Sequence, residues 1–193
     1  TVTLQLEEPR SSSADWEAIE QRLAALERRA DQAPDPNRLN LLVFSGDRDR
    51  LLAAFVVANG AAACGLEVSM FFTFWATAAL RNGRGQIGRK SLVERCFGWM
   101  LPNGLRRSRL SQMDMCGIGR MLMTREMRRK NIADLDELVN TAGELGVTIR
   151  VCDMSMQLMG IRREELIDFP QMEMCGVASF VDQVATANTT LMF

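Results

Sequence analysis

Three short apolar runs, "LNLLVF", "LEVSMFF" and "VTIRVC", constrain this chain more than any other feature. Leu39–Phe44 is apolar but for Asn40 rather than alternating, and Ser45-Gly46-Asp47 closes it with a turn signal. A strand apolar on both faces needs cover on both, which is the situation of a buried parallel strand. Between the first two runs lies "RLLAAFVVANGAAACG", read as a helix ending near Gly65. Strand, helix and strand in such a short span form a βαβ unit, whose crossover is right-handed. The expected fold is therefore α/β: a doubly wound, flavodoxin-like parallel sheet with an N-terminal helical extension.

The remaining elements fit that frame. "LEVSMFFTFWAT" reads as the second strand, "IADLDELVNTAGELG" as a helix and "VTIRVC" as the third strand. "DMSMQLMGI" is the helix that follows, and "RREELIDFPQMEMCG" is expected to cross over irregularly. "VASFVDQVATAN" and "TTLMF" supply the last helix and the last strand. Upstream, "DWEAIEQRLAALERRAD" sets Trp16, Ile19, Leu23 and Leu26 on one helical face, and the prolines of "QAPDPN" end it. These boundaries divide the chain into an extension over 1–37 and an α/β domain over 38–193, with a basic, Met-rich insertion at about 81–130.

Charge singles out that insertion. Net charge is −1, yet residues 81–130 carry 13 Lys/Arg against 3 Asp/Glu, and the rest carries 10 against 21. A basic segment in an acidic body suits an anionic ligand, an acidic partner or a contact between copies. Few aromatics interleave with "LRRSRL" and "REMRRK", so specific nucleic-acid binding is not expected. "GRGQIG", Gly83 to Gly88, matches GxGxxG but stands beyond the second strand, with "NGLRRSRL" where a dinucleotide fingerprint needs an acid. Eleven of the 13 methionines fall between Met100 and Met174, without the regular spacing of a soft-metal array, and read as adaptable packing.

Histidine and tyrosine are absent. That excludes Ser-His-Asp and Cys-His pairs and His-containing zinc sites, and no resident cofactor or metal is expected. Five cysteines, none in CxxC, and no recognisable signal peptide or membrane span suggest a reduced, cytoplasmic protein. Cys64 and Cys96 lie among apolar neighbours and read as core. Cys116, in "MDMCGIG", has Arg120 and Arg125 nearby to favour a thiolate, and Cys175 precedes Gly176 at a helix start. Cys152 has the strongest case. Ligands of open parallel sheets bind outside the carboxyl ends of strands, where helix N–H groups can stabilise S⁻. Asp153 opposes that effect, and position alone leaves a reactive thiol and a packed core thiol both open.

The strand–helix–strand order, "FFTFWAT" and above all "VCDMSMQLMGI" resemble the DsrE/DsrF/DsrH-like family, which includes the TusB, TusC and TusD subunits. "MLPNGLRRSRLSQMDMCGIGRMLM" and "GVASFVDQVATANTTLMF" are similar to its peroxiredoxin-like DsrE branch, and the resemblance covers roughly 38–193. It implies that Cys152, the residue matching the family's sulfur-carrying position, accepts sulfane sulfur as a persulfide and relays it to a partner cysteine. It implies homo-oligomers, and a rhodanese-type donor or a TusA-like carrier as partner. Cys116 stands where such relatives more usually have glycine and ranks above Cys175 as an assisting thiol. Two other readings stay open: an anion- or nucleotide-binding module using the basic insertion, and a structural subunit. A thiol peroxidase is disfavoured, because "TIRVCD" lacks the Pro-Thr-x-x-Cys pattern.

Overall fold

The computed structural model describes residues 13–31, 33–84, 96, 101 and 104–193, with the backbone alone at a few positions, Cys116 among them. Two compact units are present, Thr1–Pro34 and Asp35–Phe193. In the first, α1 (Ser13–Asp31) carries Trp16, Ile19, Leu23 and Leu26 at helical spacing, all of them exposed.

The second unit runs β1 (Asp35–Val43), α2 (Arg48–Ala63), β2 (Glu67–Phe72), α3 (Trp75–Ala79), α4 (Ile118–Arg129), α5 (Leu135–Glu144), β3 (Thr148–Cys152), α6 (Asp153–Met159), β4 (Met172–Cys175), α7 (Val177–Thr186) and β5 (Ala187–Met192). The five described strands form one parallel sheet in the order β4-β3-β2-β1-β5. The fold is α/β with helices on both faces, as the apolar runs require.

Alternation along the strands separates those faces. Leu41, Val43, Met70, Phe72, Ile149 and Val151 are buried on the first, beneath α2, α5 and α6. There Phe55 of α2 meets Phe72 with ring centroids 6.1 Å apart, and Asn59 Nδ2 donates to the Leu138 carbonyl at 2.9 Å. Asp134 and Glu137 close a reciprocal capping box that starts α5. On the second face α7 lies over the sheet, where Phe180 stacks on Phe71 at 4.6 Å.

Several expected boundaries differ: β1 begins at Asp35, inside the expected extension, and β5 at Ala187, two residues early. "MEMC", taken as part of a crossover, is β4, a four-residue strand with only half-buried or exposed residues. The second strand was expected to continue through "TFWAT" but stops at Phe72, and α3 begins at Trp75. Thr73 N–H makes a last bond to the Val43 carbonyl, and Phe74 then turns to φ 46°, ψ −126°, outside strand geometry. Within the basic insertion the described parts include a 3₁₀ turn at Leu105–Arg107, another at Met115–Gly117, and α4. Most of "GRGQIG" lies outside the described residues.

The strand order creates a specific crevice. After β3 the chain enters α6, whose Met156 and Met159 join the first-face core. After β4 it enters α7 on the other face. Adjacent strands whose connections leave to opposite faces open a cleft at their carboxyl ends. Here those carboxyl ends are Cys152 and Cys175, the last register pair of the β3–β4 ladder.

Phe55 is fully buried where α2 meets the sheet. Truncating it to Ala is expected to cost about 3–5 kcal/mol. Urea unfolding should show this as a lower midpoint at unchanged slope; an unchanged midpoint would contradict burial of Phe55 between α2 and the sheet.

Candidate active-site thiol

Cys152 ends β3 and stands at the N-cap of α6, with φ −69° and ψ 115°. Its relative exposure is 0%. Burial pushes the thiol's pKa up, but the hydroxyl and N–H of Ser155, the Thr73 hydroxyl and the Met154 N–H pull it down. The pull prevails, and the pKa lies below the ordinary thiol value. The cause is local: residues two and three positions into a helix present N–H groups toward its N-cap. Sulfur makes no closed hydrogen-bonded cap here, yet its charged form is favoured.

Ser155 links two strand ends. Its hydroxyl is fully buried, accepts the Phe74 N–H at 2.9 Å and lies 3.0 Å from Thr73 Oγ1. The turn after β2 is thereby tied to the helix after β3. Phe74 has a left-handed φ that costs about 1–3 kcal/mol for a side-chain-bearing residue, and its bond to Ser155 helps hold it there. Behind this turn, Gly46 leaves room for the Trp75 carbonyl, since a Cβ there would lie 2.7 Å from that oxygen. Phe44, Phe74, Trp75 and Met154 remain exposed along this carboxyl edge. The turns after β1 and β2 touch there, with Ala76 N–H reaching the Phe44 carbonyl at 3.3 Å.

Cys175 ends β4 as the register partner of Cys152. One residue pair away on the ladder are Val151 and Met174, and two away are Ile149's neighbour Arg150 and its partner Glu173. Arg150 Nε lies 3.2 Å from Glu173 Oε2. Burial raises the Cys175 pKa; Arg150 opposes this, and Asp153, Cys152 and Glu173 add to it. The expected influence of Asp153 thus falls on the neighbouring thiol. No disulfide joins the two.

The other sequence candidates separate. Cys64 and Cys96, expected in the core, are exposed. Cys64 falls one residue past α2, at its C-cap, which removes it from the apolar helix face. The backbone of Cys116 occupies the Met115–Gly117 turn, and its side chain lies outside the described residues. Arg120 and Arg125 help line a cavity of about 820 Å³, together with Arg48, Arg128, Gly117 and Asp136. Arg48 is only 7% exposed, and its Nε has no hydrogen-bond partner. Among the described residues no cluster of His, Cys, Asp and Glu could hold a metal, and no helix is long and apolar enough to cross a membrane.

A thiol at the carboxyl edge, before a helix, is the arrangement expected from "VCDMSMQLMGI". The profile of the DsrE/DsrF/DrsH-like family matches residues 35–192. The chain belongs to this family. The uncharacterized protein YrkE of Bacillus subtilis is 36% identical over 154 residues, covering 80% of this chain and 95% of its own. The sulfur carrier protein DsrE2 of Allochromatium vinosum is 27% identical over 152 residues, covering 77% of this chain and 92% of its own. The ychN protein of E. coli covers 82% of the chain, and all of its own, at a TM-score of 0.46 and 13% identity.

Sequence reasoning missed Ser155, Thr73 and Arg48. A visible signal existed for the first: Cys-x-x-Ser across a strand-to-helix junction puts the hydroxyl at the third helical position, within reach of the N-cap. Thr73 could be found only through the strand pairing.

The thiolate should therefore depend on Ser155. Ultraviolet thiolate absorbance, taken as wild type minus Cys152→Ser, is expected to titrate below the usual thiol range and to move upward in Ser155→Ala. A folded-state thiol pKa below its unfolded value adds stability as pH rises through the folded pKa and loses it as pH falls back through it. An unmoved titration in Ser155→Ala would remove the hydroxyl from this role.

Proposed function

We propose that this protein is a sulfane-sulfur carrier of sulfurtransferase type. Cys152 accepts sulfur as a persulfide and passes it to a cysteine on a partner protein. The observation that carries the reading is the hydroxyl and N–H environment that favours a Cys152 thiolate at the carboxyl edge of β3. Family membership and similarity to the sulfur carrier DsrE2 support it.

The chemistry asks little more of the chain. A thiolate attacks the outer sulfur of a donor persulfide, the donor thiolate leaves, and Cys152 holds the transferred atom. A second attack, by an acceptor thiolate, reverses the roles. No imidazole base is needed when the attacking thiol is already ionised, so a His-free sequence is compatible with the reaction. Partners of rhodanese or TusA-like type fit this exchange, acting in cytoplasmic sulfur metabolism. Self-association is a further part of the proposal, with the exposed apolar residues of α1 as one available surface. Cys116 remains the candidate assisting thiol.

Intact-mass spectrometry after incubation with polysulfide tests the assignment. Wild type should gain about 32 Da or multiples, removable by reductant, and Cys152→Ser should not. Loss of loading in Cys116→Ser as well would make the two thiols a cooperating pair. Loading of Cys152→Ser equal to wild type would end the assignment to this residue.

The arginine-lined cavity favours a second reading, anion binding. A buried guanidinium with an unfilled Nε donor suits an oxyanion. Calorimetry with inorganic phosphate or thiosulfate should show saturable binding that weakens in Arg48→Met and persists in Cys152→Ser. Absence of binding in wild type would exclude the site for these anions.

A further inference from the structure

We propose that Cys175 is a second sulfur station, which takes the sulfane atom from Cys152 before it leaves the protein. This rests on the carrier reading of Cys152 and extends it to a thiol that lies on a different strand.

Geometry carries the inference. Cys152 and Cys175 are register partners at the last rung of the β3–β4 ladder. Neighbouring strands lie about 4.8 Å apart, and paired residues of a parallel ladder direct their side chains to the same face. The Arg150–Glu173 ion pair, two positions back on both strands, is a cross-strand contact of that kind. A persulfide lengthens the Cys152 side chain by one S–S bond, about 2 Å. Its outer sulfur then comes within reach of the neighbouring thiol without any domain movement.

Accessibility gives the transfer a use. Cys152 is fully buried, whereas Cys175 is half-buried. Sulfur held on Cys152 is shielded from solvent and from an incoming acceptor, and one step along the rung brings it to the more accessible position. The topology agrees, because at this rung the chain leaves β3 and β4 toward opposite faces, the arrangement that places ligands at strand ends.

The step balances without an oxidant. The Cys175 thiol gives up its proton and its sulfur attacks the outer sulfur of Cys152–S–SH. The persulfide S–S bond breaks, its electron pair stays on Cys152 Sγ, and a new S–S bond forms at Cys175. Cys152–S–SH and Cys175–SH become Cys152–SH or its thiolate and Cys175–S–SH. Direction follows from the leaving group: a thiol of lowered pKa leaves more readily than one of raised pKa. The environments of the two cysteines differ in that sense, with Cys152 lowered and Cys175 raised.

The test is a time course on the full chain. The protein is loaded briefly with polysulfide, freed of donor, quenched with an alkylating reagent at intervals, digested and mapped by mass spectrometry. The sulfane sulfur is expected first on the Cys152 peptide and later on the Cys175 peptide. Cys175→Ser should hold its sulfur on Cys152 and deliver it to an added small thiol several-fold more slowly. Migration in the wild type is itself a readout, so the result does not depend on how well a variant folds. A Cys152 that loads while Cys175 stays bare would overturn the relay and leave the carrier reading intact. Equal loading of Cys175 in Cys152→Ser would overturn it too, as would release of hydrosulfide with closure of a Cys152–Cys175 disulfide. If Cys152 never loads, the carrier reading itself fails.

Discussion

The site depends on one constraint, the parallel register that aligns Ser69–Phe72 with Thr148–Val151 and Ile149–Cys152 with Met172–Cys175. A parallel sheet brings the carboxyl ends of its strands to one edge, and these registers decide which residues share it. Thr73 stands just past the end of β2, opposite Cys152, and Cys175 stands opposite it on the other side. A slip of one residue in β3 would turn Cys152 to the other face and replace it with Val151. The packing that prevents such a slip is the buried set Met70, Phe72, Ile149 and Val151, which is apolar and belongs to one continuous core. Hydrophobic burial on the first face therefore sets the chemistry at the edge.

Ser155 converts that alignment into electrostatics. Removing a thiol from water disfavours its ionised form, and for Cys152 desolvation is the largest single influence. Several smaller contributions from Ser155, Thr73 and Met154 together exceed it. This is the usual behaviour of a preorganised site, in which fixed dipoles replace solvent around a charge. The same serine hydroxyl accepts the Phe74 N–H, so the strained turn after β2 and the electrostatics of the thiol share one group. Loss of that hydroxyl acts on both, and a change at Phe74 reaches Cys152 without touching it.

The sequence made the sheet legible because β1 and β2 carry apolar residues on both faces, a pattern that few alternatives satisfy. Cys152 was legible for the same reason, as the residue where an apolar run meets a helical pattern. β4 was not: "MEMC" is short and mixes a charged residue with half-buried ones, so it carries no clear period. The pairing of Cys152 with Cys175 was hidden with it, since register is a property of two strands and cannot be read from either alone. Cys64 and Cys96 show the opposite error. Apolar neighbours in sequence suggested burial, but Cys64 sits just past the last turn of α2 and is exposed. Arg48 was missed because its surroundings come from segments distant in the chain: its N–H donates to the Arg109 carbonyl, and Ser111 bonds the carboxylate of Asp49 beside it.

On the proposed reading, burial and exposure at this edge favour a macromolecular partner over a small solute. Cys152 has no exposed surface in the structure, so any sulfur donor or acceptor meets it only as this edge opens. Phe44, Phe74, Trp75 and Met154, by contrast, hold apolar surface in water along the same edge, at a site where one backbone turn is already strained. Covering such surface is favourable at about 25 cal/mol per Å² of apolar area. A docking protein can supply that cover, while a small thiol buries too little to do so. The turn at Phe74 is held to α6 by one hydrogen bond to the serine that also supports the thiolate. Docking on the aromatic residues would therefore act, through that hydrogen bond, on the serine that favours charge at Cys152.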